Sequence, residues 1–186
     1  MKLRAVLQVG AQVLVVIFLS QTVMKAGPPA GGLPQHFVCN IGYSFSKCQA
    51  DIEVLRKTLA KYPAAELGEW TWVLVRSADW KYVVMPRGID PDSPAFTYLP
   101  KRETFIEEAL VATVPQRMGE LIFRWGMSTD DLLDFAVAHE LGHALCNERI
   151  EMKARRAAKA LLGGKRPSCE VSLPAITSNQ EMWKRR

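Results

Sequence analysis

The sequence predicts an α+β domain in which a short antiparallel or mixed sheet packs on one central helix. Three observations predict it. Aromatic and β-branched runs cluster between Trp70 and Leu99. Helical spacing of apolar residues dominates from Glu103 onward. The stretch from Ser128 to Cys146 is apolar on nearly all sides after its first turn, so it belongs in the interior.

The chain has 186 residues, enough for one domain with a core of its own and short appendages. Residues 1–26 read as an export signal. Lys2 and Arg4 give a basic start, and the apolar run Val13 to Leu19 suits a secretory segment better than a full membrane span. Met24-Lys25-Ala26 places a large residue where cleavage prefers a small one, so an uncleaved N-terminal membrane anchor is the alternative. Residues 27–35, rich in Gly and Pro, form a linker. The domain proper is expected over residues 36–170, with a basic polar tail over 171–186.

Within the domain, Gln49 to Tyr62 is expected to be a helix, with Ile52, Leu55 and Leu59 on its apolar face and Pro63 ending it. Trp70 to Val75 is aromatic and β-branched and predicts a strand. Asp79 to Met85 predicts a second strand, and the Pro- and Asp-rich run from Pro86 to Pro94 a loop. Ala95 to Leu99, bracketed by Pro94 and Pro100, predicts a third strand at a sheet edge. Glu103 to Ala112, Pro115 to Trp125 and Glu151 to Leu162 read as helices. Ser128-Thr129-Asp130-Asp131 supplies a cap and first-turn acids for the buried helix.

That buried helix holds His139-Glu140-Leu141-Gly142-His143, with two of the three histidines in the chain. Residues four apart on a helix are offset by about 40° and about 6 Å, so both imidazoles can reach one ion while Glu140 leans over the same point. The neighbours Val137, Ala138, Leu141, Gly142, Ala144 and Leu145 are all uncharged. A buried polar group needs a partner, and a metal ion supplies one. Gly142 costs about 1 kcal/mol of helix propensity relative to Ala, which close approach by another backbone would explain.

Catalytic zinc takes three protein ligands and keeps a position for water. The third candidate is His36, far upstream, or one of the acids Glu148, Glu151, Glu170 and Glu181. On an unbroken helix Glu148 is turned about 140° from His143, and Glu151 is about 80° off and about 12 Å along the axis. The helix must therefore break after Cys146, where Asn147 is a tolerable terminator.

The motif, followed by Glu151-Met152-Lys153-Ala154, then Ala157 or Ala158 and Leu161, resembles the ImmA/IrrE-type metallopeptidases. The helix–strand–helix order likewise resembles the wider zincin-like peptidases. The resemblance implies a gluzincin-type site with Zn²⁺ on His139, His143 and Glu151 and with Glu140 as the catalytic base. It implies hydrolysis of a peptide or protein substrate by Glu-assisted attack of zinc-bound water, the substrate lying along an edge strand for which Phe96 to Leu99 is the candidate. Tyr98 and Arg102 are candidates to stabilise the oxyanion. Arg155 stands where that family often has Asp or Asn.

Cys39, Cys48, Cys146 and Cys169 are an even count behind an export signal, so disulfides are expected. The favoured pairs are Cys39–Cys48 and Cys146–Cys169. The whole reads as an exported zinc metalloendopeptidase, periplasmic or secreted, with membrane association possible through residues 1–26. Two rival readings are a non-catalytic, zinc-stapled binding domain and a membrane-tethered regulatory protease that cuts one protein. From Met152 onward there are nine basic and two acidic residues. Lys184-Arg185-Arg186 is too short to imply nucleic acid, and no nucleic-acid partner is expected.

Overall fold

The computed structural model describes residues 35–112 and 114–169. The expected leader, the linker up to residue 34, and the tail from residue 170 lie outside the described residues. Four strands, β1 (Gln35–Cys39), β2 (Trp70–Val75), β3 (Ala95–Tyr98) and β4 (Glu103–Glu107), form one mixed sheet in the order β1-β2-β4-β3. β1, β2 and β4 run parallel, and β3 pairs antiparallel with β4. Among the described residues, six α-helices surround the sheet: α1 (Phe45–Leu59), α2 (Ser77–Val84), α3 (Glu108–Val111), α4 (Pro115–Trp125), α5 (Thr129–Cys146) and α6 (Glu151–Leu162).

The fold is α+β, as the sequence implies, but three elements differ. Gln35 is not linker: it opens β1, a strand absent from the sequence reading. β1 is half-buried throughout and lies at an edge, so it carries little apolar signal. Gln35 fixes it in place by donating to the Gly68 carbonyl (2.9 Å) and accepting from Trp72 Nε1 (2.7 Å).

The expected strand over Asp79 to Met85 is α2 instead. Trp80 and Val84, four apart, are buried while Tyr82 between them is 68% exposed, so the helical period governs. Its start is capped by distant side chains. Asn40 Oδ1 accepts from Arg76 N–H (3.0 Å), and Glu108 Oε2 accepts from Ser77 N–H (3.0 Å). Caps that come from other elements leave no local signature.

The expected helix over Glu103 to Ala112 divides into β4 and the one-turn α3. β4 is paired on both sides, and that central position decides its conformation. Glu107 at its end is fully buried and is held by Arg117 on α4, Nε–Oε1 2.8 Å. The helix expected from Gln49 starts earlier, at Phe45, where Ser44 caps it.

The sheet separates two apolar clusters. Trp72, Leu74 and Ile106 join Leu121, Leu132, Val137 and Leu141 in the main core, which places α5 against one face. Val75, Trp80, Val84, Phe96 and Phe105 form the other cluster, under α2. Phe96 and Phe105 are register partners across β3 and β4, and their rings stack at 4.5 Å. Both expected disulfides form, Cys39–Cys48 and Cys146–Cys169. The second ties the end of α5 to the last described residue.

α5 and α6 are the most closely packed pair of helices. A Cβ at Gly142 would sit 2.6 Å from the Ala154 carbonyl oxygen and 3.1 Å from Ala157 Cβ. Gly142→Ala gains about 1 kcal/mol of helix propensity but forces two backbones apart, at about 1–3 kcal/mol. The variant is expected to be net destabilised by up to about 2 kcal/mol, read as a lower urea midpoint. An unchanged midpoint would show that the contact yields freely.

Candidate metal centre

α5 begins as its sequence requires. The Ser128 hydroxyl accepts from Asp131 N–H, and Asp130 and Asp131 lie in the first turn. It ends where the geometry demands a break: Asn147 is left-handed, φ 47° and ψ 42°, and donates to the Ala144 carbonyl. Asn is among the side chains best suited to that conformation. Four residues later α6 starts back along α5, with Glu151 as its first residue.

The two turns together place three donors at one point. His139 Nε2 and His143 Nε2 are 3.2 Å apart. Glu151 Oε2 lies 3.0 Å from His139 Nε2, and Glu151 Oε1 lies 3.4 Å from His143 Nε2. Among the described residues, His139, His143 and Glu151 form a group whose ligand atoms all fall within 4.8 Å of one another. Two imidazoles and a carboxylate so arranged can hold a divalent ion, and the set does not single out one metal.

Hydrogen bonding prepares the imidazoles for that task. His143 Nδ1 is 2.7 Å from the Glu148 carbonyl oxygen, which can only accept. His143 is therefore protonated on Nδ1, and its neutral form offers the Nε2 lone pair to the centre. His139 is held below its ordinary pKa, first by burial and next by His143, with Glu151 opposing them. A low pKa keeps the ring neutral and free to ligate. Its Nδ1 is buried without a partner in the fold. Phe135, one turn earlier, stacks beside it.

Glu148 does not join the centre. Its Oε1 accepts from the N–H groups of Arg149 (2.9 Å) and Ile150 (2.8 Å), which lead into α6. The Ile150 N–H, with Lys153 nearby, holds its carboxyl below the usual carboxylate range. One residue thus orients His143 through its backbone and caps the helix that carries Glu151. Sequence reasoning weighed Glu148 only as a ligand. The signal for its true role is an acid within three residues of a helix start.

Glu140 is 4% exposed, and its Oε2 has no hydrogen-bond partner. Burial pushes its carboxyl up to about 7, while His143 and Thr97 pull the other way. The sheet holds Glu140 in place through a buried relay. Trp70 Nε1 donates to Thr104 Oγ1 (3.0 Å), Thr104 and Thr97 share a hydrogen bond (3.0 Å), and Thr97 donates to the Glu140 carbonyl (3.4 Å).

The centre opens into a cavity of about 590 Å³ between β3 and α5. Its walls include Thr97 and Tyr98 of the edge strand, the apolar Trp125, Leu132 and Phe135, and the charged Arg149 and Arg155. Of the residues weighed in the sequence, His139, Glu140, His143 and Glu151 come together here, and Tyr98 lines the cavity. His36 does not: it lies on β1, at the opposite edge of the sheet, 3.5 Å from Glu69. Arg102 does not either. It donates to the Leu67 and Glu69 carbonyls and lies over the Trp70 ring, because the left-handed turn at Arg102 directs it away. Glu170 and Glu181 lie outside the described residues. No protein-family model matches this chain, and no curated protein is significantly similar to it.

In protein stripped of metal, the raised Glu140 pKa makes the folded state bind a proton more tightly than the unfolded state. Its contribution to stability is complete below the ordinary value of 4.5 and is lost as pH rises through about 7. At about 1.4 kcal/mol per pH unit, the loss reaches about 3 kcal/mol. Glu140→Gln is expected to flatten this part of the profile. Urea midpoints of the two metal-free proteins across that range provide the check; parallel profiles would mean that Glu140 titrates normally.

Proposed function

We propose that this protein is an exported zinc metalloendopeptidase of the zincin-like type, with the ion on His139, His143 and Glu151 and with Glu140 as general base. One observation carries the reading. A buried carboxyl with an unpartnered oxygen adjoins three convergent donor atoms, in a cavity bordered by a sheet edge.

The donor set fits zinc, which favours imidazole nitrogen and carboxylate oxygen and leaves a position open when only three side chains bind. When bound, such an ion polarises a carbonyl and acidifies water. The residues supply the rest. Among the described residues β3 is paired only with β4, and that free edge can take an extended peptide by main-chain hydrogen bonds. Thr97 and Tyr98 on that strand, and Trp125, Leu132 and Phe135 across the cavity, hold the chain and shield it from water. Glu140 Oε2 takes a proton from the attacking water as the C–O bond forms. It returns that proton to the amine nitrogen as the C–N bond breaks. The two disulfides fit an oxidising compartment, as export requires. No helix among the described residues is long and apolar enough to cross a membrane.

A zinc staple without catalysis would place its ligands out of solvent and would be needed for the fold. Here Glu151 is 72% exposed, and the domain already has a core and two disulfides. Glu140→Gln is expected to retain one zinc per chain and to lose about 10²–10⁴ of peptidase turnover. Metal content by emission spectroscopy and cleavage of a quenched peptide library provide the test. Full activity in the variant would remove Glu140 from the mechanism, and unfolding on chelation of the wild type would favour the staple.

A further inference from the structure

Glu151 and Arg155 are four apart on α6, with the acid N-terminal, the arrangement that most favours an ion pair on a helix. They do not pair. Glu151 turns both oxygens to the imidazoles, at 3.0 and 3.4 Å, and Arg155 is left facing the cavity. Arg149, just before α6, lines the same cavity. Both side chains are exposed, and among the described residues neither guanidinium makes a hydrogen bond, ion pair or ring contact.

Other arginines of the domain are committed. Arg76 is on Asp79, Arg117 on Glu107, Arg124 on Asp92 and Arg166 on Glu66. Of the carboxylates lining the cavity, Glu151 turns to the imidazoles, Glu148 to backbone N–H groups and Lys153, and Glu140 is buried on α5 with one oxygen unpartnered. Among the described residues, no carboxylate of the cavity meets the two guanidinium forks on its rim.

We infer that Arg149 and Arg155 form a carboxylate-binding subsite, so that the peptides this protein takes carry a carboxylate close to the bond that is cut. The carboxylate is an Asp or Glu side chain or the C-terminal group of the peptide. A planar guanidinium matches a carboxylate with two parallel hydrogen bonds, and two of them can hold one anion from both sides. The subsite rests on the peptidase reading for its role, but its ligand chemistry can be measured without turnover.

The test uses the zinc-loaded full chain and its zinc-loaded Glu140→Gln variant. The probes are fluorescein-labelled peptides of Ala and Leu in which one Glu, Gln or Lys is moved along the chain, each with a free or an amidated C-terminus. Binding to Glu140→Gln is read by fluorescence polarisation, and cleavage by the wild type is read by chromatography. A preference of about tenfold or more for Glu over Gln at one position identifies a side-chain carboxylate. The same preference for free acid over amide identifies the C-terminal group. Arg149→Gln with Arg155→Gln is expected to abolish the preference while zinc content and melting temperature stay unchanged. Arg155→Glu is expected to shift it towards Lys peptides, which loss of a merely structural residue would not do. Equal handling of Glu, Gln and Lys and of acid and amide forms overturns the inference, as does a preference that survives the double variant. Carboxylate-selective binding with no cleavage by the wild type would instead overturn the peptidase reading and leave the subsite standing.

Discussion

The contact of Gly142 with the backbone of Ala154 sets the distance between α5 and α6, and that distance brings His139, His143 and Glu151 together. His139 and His143 belong to α5, and Glu151 belongs to α6. Only when the two helices pack without a side chain between them does the carboxylate reach both imidazoles. The small residues Ala154, Ala157 and Ala158 face the same seam and are buried. Glycine in mid-helix weakens α5 locally, and the close seam is the return.

The turn between the helices serves the same end. Asn147 takes the left-handed conformation that stops α5, and Glu148 uses both its backbone and its carboxylate. Its carbonyl fixes the tautomer of His143, and its side chain satisfies N–H groups at the entry to α6. The Cys146–Cys169 disulfide anchors the last α5 residue beside this turn. The centre is therefore held from the seam, the turn and the covalent link together, as a site needing precise donor positions requires.

From the sheet side, the relay through Trp70, Thr104 and Thr97 reaches the backbone of Glu140. It satisfies buried polar groups while fixing α5 against β3. Glu140 and the edge strand are thus positioned by one network. The charge on the rim follows from a competition. The imidazole pair draws Glu151 away from Arg155, and the helix spacing that would have neutralised that arginine leaves it open to the cavity.

Sequence alone determined much of this molecule, because its strongest signals are local. The buried character of α5, its Ser128 cap, the spacing of His139 and His143, the break near Asn147 and the edge position of Ala95 to Tyr98 follow from period, capping and proline placement. The pairing of cysteines also agreed with the structure, and Glu151, singled out by a resemblance and not by spacing, lies beside both imidazoles. Tertiary structure alone decided the rest. β1 is a strand because Gln35 meets Trp72 and the 64–68 turn, and α2 is a helix because Asn40 and Glu108 cap it from afar. β4 is a strand because it has partners on both sides. The relay to Glu140, the double role of Glu148 and, among the described residues, the unpaired state of Arg149 and Arg155 depend on the folded arrangement. No period or motif records them, since each exists only once the chain has brought its partners together.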